Sequence, residues 1–235
     1  MPRTKMTRHQ LKEQDEITTS IQSFTEIVVA RKKEVTIGLT AVVVLLIVIF
    51  GWRYYSATRT ASAQTQLSQA IDIYNDTANI KSDKERYEKT IVEAQKTSDQ
   101  YGSLPAGIIA LYYTALSEEG LGDTAKATQN LQEVAQRGDA SIKGVAQFAL
   151  GSIYKKHGDT QKAIDLYKQL YDNGGYSKAA AAYELATTYE DSKQVDQAKT
   201  FYQKVVSEFP DSPLRTNADD ALKRLGVAPP PPKPS

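Results

Sequence analysis

The stretch LGSIYKKHGDTQKAIDLYKQL at residues 150–170 is answered by LATTYEDSKQVDQAKTFYQKV at residues 185–205. Leu150, Gly151, Tyr154, Ala163, Tyr167 and Leu170 find counterparts thirty-five residues later in Leu185, Ala186, Tyr189, Ala198, Tyr202 and Val205. Spacings of three and four inside each half place the large residues on one face of a helix. The Gly158-Asp159 step between the halves marks a turn, so each copy reads as a helical hairpin. Gly151, Ala186, Ala163 and Ala198 are small where two helices would cross closely, with the tyrosines filling the space beside them.

The pattern resembles the tetratricopeptide repeat: large, small and tyrosine on the first helix, then small, aromatic and aliphatic on the second. Thirty-six residues upstream of residue 150, a weaker copy keeps Ala115, Gly122-Asp123, Ala127, Leu131 and Val134. It places Thr114 and Glu118 where Leu150 and Tyr154 stand. Helices are expected near 57–79, 83–101, 105–119, 123–136, 141–156, 160–172, 177–191, 195–208 and 213–225. The turns carry Gly120, Gly122, Gly138, Gly158 and Gly174-Gly175, and Asp123 and Asp159 suit helix N-caps. No stretch alternates at period two, so strands are not expected. The fold class is therefore all-α: an N-terminal transmembrane helix, an α-solenoid of about four hairpins, and a capping helix at 215–225. The first hairpin is degenerate, and its first helix is expected to continue from the membrane segment. The tail APPPPKPS at 228–235 reads as extended, with a polyproline-ligand role as its alternative.

The membrane segment is the eighteen uncharged residues VTIGLTAVVVLLIVIFGW at 35–52. As a helix it would be roughly 27 Å long, against ~30 Å of bilayer hydrocarbon. Arg31, Lys32 and Lys33 flank one end; Trp52, Arg53, Tyr54 and Tyr55 flank the other, where amphipathic rings favour the headgroup zone. The 34 residues before the span hold seven Lys or Arg, whereas the 28 after it hold two, Arg53 and Arg59. The positive-inside rule keeps the N-terminus cytoplasmic and exports residues 53–235. The apolar run exceeds a signal-peptide core and Ala61-Ser62-Ala63 lies far beyond it, so an uncleaved anchor is expected. The expected divisions are a cytoplasmic tail 1–34, the span 35–52, a helical extension 53–104, repeats with cap 105–226, and a proline-rich tail 227–235. In the cytoplasmic tail, Ile17, Ile21, Phe24 and Val28 share one helical face, suited to the inner membrane surface, to a partner, or to a stub before the span.

Composition narrows the function. The 235 residues contain no cysteine and two histidines, His9 and His157, far apart in sequence. This excludes disulfide scaffolds, thiolate metal sites and thiol nucleophiles. A net charge of +1 argues against nucleic-acid binding. No catalytic motif is present, and the adjacent acids Glu118-Glu119 and Asp219-Asp220 suit solvated helix faces. Neither an enzyme nor a cofactor site is expected.

Tetratricopeptide repeats bind peptides or proteins on the face lined by the first helix of each hairpin. Aligning the three copies gives a first groove position of Tyr112, Phe148 and Tyr183. The second holds Leu116, Ser152 and Thr187, and the third Glu119, Lys155 and Glu190. Recurrent aromatics offer large contact area at low entropic cost, which suits extended or apolar segments. The same rings also suit packing between neighbouring repeats.

The anchor ending Gly51-Trp52-Arg53-Tyr54-Tyr55, the helix entry at Gln100-Tyr101-Gly102 and the repeat hairpins together resemble the bacterial YfgM-like family over nearly the whole chain. That family comprises ancillary subunits of the SecYEG translocon. The resemblance implies an inner-membrane protein whose periplasmic repeats work with SecYEG and the PpiD chaperone, passing exported polypeptides to periplasmic chaperones. The rival expectation is a dedicated envelope scaffold for one complex, in cell division or outer-membrane biogenesis.

Overall fold

The computed structural model describes residues 29–173 and 178–227. The amphipathic set from Ile17 to Val28, the Gly174-Gly175 turn and the stretch 228–235 lie outside the described residues. Among the described residues all regular structure is helical: α1 Lys32–Asn75, α2 Asp83–Tyr101, α3 Pro105–Gly120, α4 Thr124–Arg137, α5 Ala140–Lys156, α6 Thr160–Asn173, α7 Lys178–Asp191, α8 Val195–Glu208 and α9 Arg215–Arg224. The chain divides into two compact units, Met1–Arg59 and Thr60–Ser235.

In the first unit, α1 is long and apolar enough to cross a membrane. Its most apolar eighteen-residue window has mean hydropathy 2.6 and none of it is buried. The two threonines of its apolar stretch 35–52 hide their polarity within the helix: Thr36 Oγ1 donates to the Lys32 carbonyl at 2.7 Å and Thr40 Oγ1 to the Thr36 carbonyl at 2.8 Å. Such back-bonding leaves an apolar exterior.

The second unit is a helical solenoid. Helix α3 packs on α4, α5 on α6 and α7 on α8, while α4 on α5 and α6 on α7 join successive pairs; α9 covers α8. Ala63, Leu67 and Ala70 of α1 share a core with Ala94 and Tyr101 of α2 and with Ala106 and Ala110 of α3. Ser82 caps α2 by accepting from the Glu85 amide, and Pro105 occupies the start of α3, where a missing N–H costs nothing.

The small residues of the repeat sit where helices cross. A Cβ on Gly151 would lie 2.7 Å from the Tyr167 ring, and Tyr167 is fully buried. Ala186 and Tyr202 occupy the corresponding places in the next hairpin, both buried. The weaker copy keeps the same apolar frame with Ala115, Ala127, Leu131 and Val134, all buried. Its two polar substitutes are satisfied internally: Thr114 Oγ1 donates to the Ala110 carbonyl at 3.2 Å, and Glu118 accepts from Asn130 Nδ2 at 2.7 Å.

The turns within hairpins share one hydrogen-bond closure, in which an amide reaches back five residues. Asp123 donates to the Glu118 carbonyl, Asp159 to Tyr154 and Gln194 to Tyr189, at 2.8–2.9 Å. The preceding residue must then be left-handed. Gly122 and Gly158 supply φ of 85° and 84°, but the third turn uses Lys193 at φ 62°. A side chain in that conformation costs about 1–2 kcal/mol, only partly offset by glycine's greater chain entropy. Lys193→Gly is therefore expected to stabilise the solenoid by up to about 1 kcal/mol, whereas Gly151→Val should destabilise it by about 1–3 kcal/mol through overpacking. Thermal unfolding of the full chain in detergent, followed by circular dichroism, would refute this account if Lys193→Gly lowered the midpoint or Gly151→Val left it unchanged.

Candidate protein-binding surface

The first groove position sits on α3, α5 and α7, the first helices of three successive hairpins. Tyr112, Phe148 and Tyr183 are each half-buried. Phe148 meets the buried ring of Tyr167 at 5.4 Å and 63°, and Tyr183 meets Tyr202 at 5.7 Å and 66°. These are edge-to-face pairs, so in both hairpins a buried tyrosine of the second helix sets the tilt of the groove aromatic. In the weaker copy Leu131 stands where Tyr167 and Tyr202 stand, and Tyr112 instead packs edge-on against Tyr113 at 5.6 Å. Tyr113 continues to Tyr74 at 5.3 Å, and Tyr74 to Tyr87 at 6.0 Å. The aromatics therefore have a packing role, with part of each ring at the surface.

The second position is mixed: Ser152 is exposed, Leu116 and Thr187 half-buried. The third position joins neighbouring hairpins. Glu119 of α3 accepts from Lys156 Nζ at 2.7 Å and lies 3.4 Å from His157 Nε2. Lys155 of α5 donates to Thr187 Oγ1 at 2.7 Å and pairs with Glu184 at 3.4 Å and Asp191 at 3.3 Å. Glu190 of α7 accepts from Arg224 of the capping helix at 2.7 and 2.9 Å and from the Tyr202 hydroxyl at 2.7 Å. The residues missed by sequence reading are therefore Lys156, His157, Glu184, Asp191 and Arg224. Their signal is opposite charge at about one repeat of separation, 37 residues for Glu119 and Lys156 and 34 for Glu190 and Arg224.

The electrostatics follow from these partners. Burial pushes the Glu119 carboxyl up, but hydrogen bonds from Lys156, Thr124 and His157 outweigh it and hold the group below the usual glutamate value. Burial is likewise outweighed at Glu190 by Arg224 and Tyr202. Glu118 runs the other way: burial raises it, and Asn130 only partly compensates. The Tyr202 phenol is raised by burial and by Glu190, and Tyr171 is pushed up to about 12 by burial and its hydrogen bond to Glu208. Around Lys155 two carboxylates, Glu184 and Asp191, share one ammonium.

The proposed membrane-interface residues Arg31, Lys32, Lys33, Trp52, Arg53, Tyr54 and Tyr55 are all exposed on or beside α1. Among the described residues no three His, Asp or Glu side chains gather as metal ligands. Three of the four paired acids are engaged structurally, Glu118 with Asn130, Glu119 with Lys156, and Asp220 with Lys223, whereas Asp219 buries Oδ1 without a hydrogen bond.

The repeat architecture suits protein interaction, and its family is given by comparison. A family model described as a tetratricopeptide repeat-like domain matches residues 32–204, and the chain belongs to that family. Two crystal structures of nearly identical TPR-like repeats from Podosopora anserina, one a variant of the other, are similar in fold. They share 17% identity with this chain, with TM-scores of 0.55 and 0.54, over 69% of this chain and 84% of theirs. No curated protein matches the sequence.

The third-position contacts carry a pH dependence with a defined sign. Glu119 and Glu190 ionise more readily folded than unfolded, so their contribution is present above the ordinary value of 4.5 and is lost as pH falls through the lowered folded values. Glu190→Gln is expected to cost about 1–2 kcal/mol at pH 7 and to flatten the decline in stability between pH 5 and 3. Urea unfolding of both proteins across that range checks this; parallel pH profiles would contradict it.

Proposed function

We propose that the protein is a membrane-anchored binding platform for exported polypeptides. Helix α1 crosses the bacterial inner membrane, with residues 1–34 cytoplasmic, and the tetratricopeptide solenoid lies in the periplasm. There it binds extended segments beside the SecYEG translocon, with a PpiD-like chaperone as neighbour, and passes them to periplasmic chaperones. It performs no chemistry of its own. The observation that carries this reading is the aromatic at one register position of three successive hairpins, Tyr112, Phe148 and Tyr183. The apolar α1, the excess of Lys and Arg before it, and the YfgM-like resemblance supply the location and the neighbours.

The energetics suit transient holding. Three aromatic contacts at about 0.5–1.5 kcal/mol beyond area burial must first offset the ordering of a flexible client. A net few kcal/mol corresponds to dissociation constants near the millimolar range, so a client would be retained briefly at the channel exit and then released.

A photo-reactive residue placed at Leu116, Ser152 or Thr187 in native membranes leaves the aromatic positions intact. Adducts with many secreted chains, SecY or a PpiD-like chaperone are expected at these positions and not at exposed Lys168. A single stoichiometric envelope partner would instead establish a dedicated scaffold, and the absence of position-specific adducts would refute the binding face.

A further inference from the structure

Tyr167 and Tyr202 occupy the same place in successive hairpins, yet their hydroxyls end differently. The Tyr202 hydroxyl donates to Glu190 Oε2 at 2.7 Å. Thirty-five residues earlier, the place of Glu190 is held by Lys155. An ammonium has no lone pair to offer. Lys155 turns instead to the next hairpin, donating to Thr187 Oγ1 at 2.7 Å and pairing with Glu184 at 3.4 Å. Tyr167 is fully buried, and its hydroxyl oxygen has no hydrogen-bond partner. The change from acid to base at the third groove position thus strands a donor that the next hairpin satisfies.

The stranded hydroxyl lies beneath the groove. Its polar neighbours are Glu184 of the next hairpin and Ser152, from the second groove position. Ser152 is exposed, and Phe148, one helical turn before it, meets the Tyr167 ring edge-to-face at 5.4 Å. Burial and the Glu184 carboxylate both raise the phenol, so it stays a donor at neutral pH. Two hydroxyl donors therefore gather beside a half-buried aromatic ring, and the nearby carboxylate repels a second anion.

We infer that the Ser152 and Tyr167 hydroxyls form a subsite for a backbone carbonyl of a bound client, with the client's adjoining side chain against Phe148. The inference rests on the reading of the first-helix face as a binding surface and deepens it. A carbonyl oxygen has two lone pairs and takes both donors. Being uncharged, it meets no repulsion from Glu184. Rotation of the Ser152 side chain about its Cα–Cβ bond admits the client oxygen to the buried phenol. Every peptide unit carries such a carbonyl, so the subsite holds extended segments whatever their sequence. A helical client, whose carbonyls are already paired, does not satisfy it.

The test uses the full chain in lipid nanodiscs. The probe is a capped, uncharged peptide of alanine, serine and threonine around one photo-reactive phenylalanine, with adducts quantified by mass spectrometry over a concentration series. Tyr167→Phe keeps the ring and removes the hydroxyl. It is expected to weaken capture about threefold to tenfold, the equivalent of one ordinary hydrogen bond, without lowering the thermal unfolding midpoint. Ser152→Ala should weaken capture similarly. Tyr171, whose hydroxyl donates to Glu208 at 2.8 Å away from the groove positions, supplies the contrast: Tyr171→Phe should lower the midpoint and leave capture unchanged. Capture unaffected by Tyr167→Phe, or a midpoint lowered as in Tyr171→Phe, would overturn the inference while leaving the proposed function standing. Tighter capture of a peptide with aspartate beside the photo-reactive residue, lost in Tyr167→Phe, would also overturn it, because the subsite would then take a carboxylate. Failure of the unaltered chain to capture the neutral peptide would remove the binding face itself.

Discussion

The close crossing of two helices within each hairpin governs the remainder of the solenoid. At Gly151 the first helix comes so near the Tyr167 ring that a single methyl would collide with it. That approach buries Tyr167 and Tyr202, and the buried rings in turn set the tilt of Phe148 and Tyr183. Packing and surface presentation are thus one problem solved by one set of residues. A larger residue at the crossing would disturb the core and the groove together, because a close-packed interior transmits strain.

A second layer of interactions joins hairpins to one another. Successive first helices are tied through Glu119 to Lys156, Lys155 to Glu184 and Asp191, and Glu190 to Arg224. The sign of the leading charge alternates along the solenoid, so each first helix presents a partner to the next. The capping helix takes part in the series through Arg224 while Ala218, Ala221 and Leu222 cover the apolar end of the array. These ties are partly exposed and individually modest. They set spacing and register between hairpins whose stability comes mainly from the apolar core.

Much of this was legible in the sequence because helix periodicity and the thirty-five-residue repeat are both local patterns. The helices expected at 83–101, 160–172 and 195–208 match α2, α6 and α8 to within a residue. The first solenoid helix ends earlier, at Asn75 rather than near 79, because the Asp76 side chain accepts from the Asn79 amide and forms a turn of its own. The turn at Lys193 carries no glycine and shows itself only as a left-handed backbone. Glu118 in the core was legible as a departure from the repeat, but its partner Asn130 was not, since that contact is specific to one hairpin. The ties at the third groove position were hidden for a different reason: they join side chains one repeat apart, and no single hairpin contains both members.

The tetratricopeptide repeat fold suits protein interaction, and the proposed function makes the first helices its working face. Hydrogen exchange of the full chain in lipid nanodiscs, with and without an extended secretory polypeptide, tests that claim most directly. The account predicts added protection confined to α3, α5 and α7. Protection confined to α4, α6 and α8, or no change on adding the polypeptide, would contradict it.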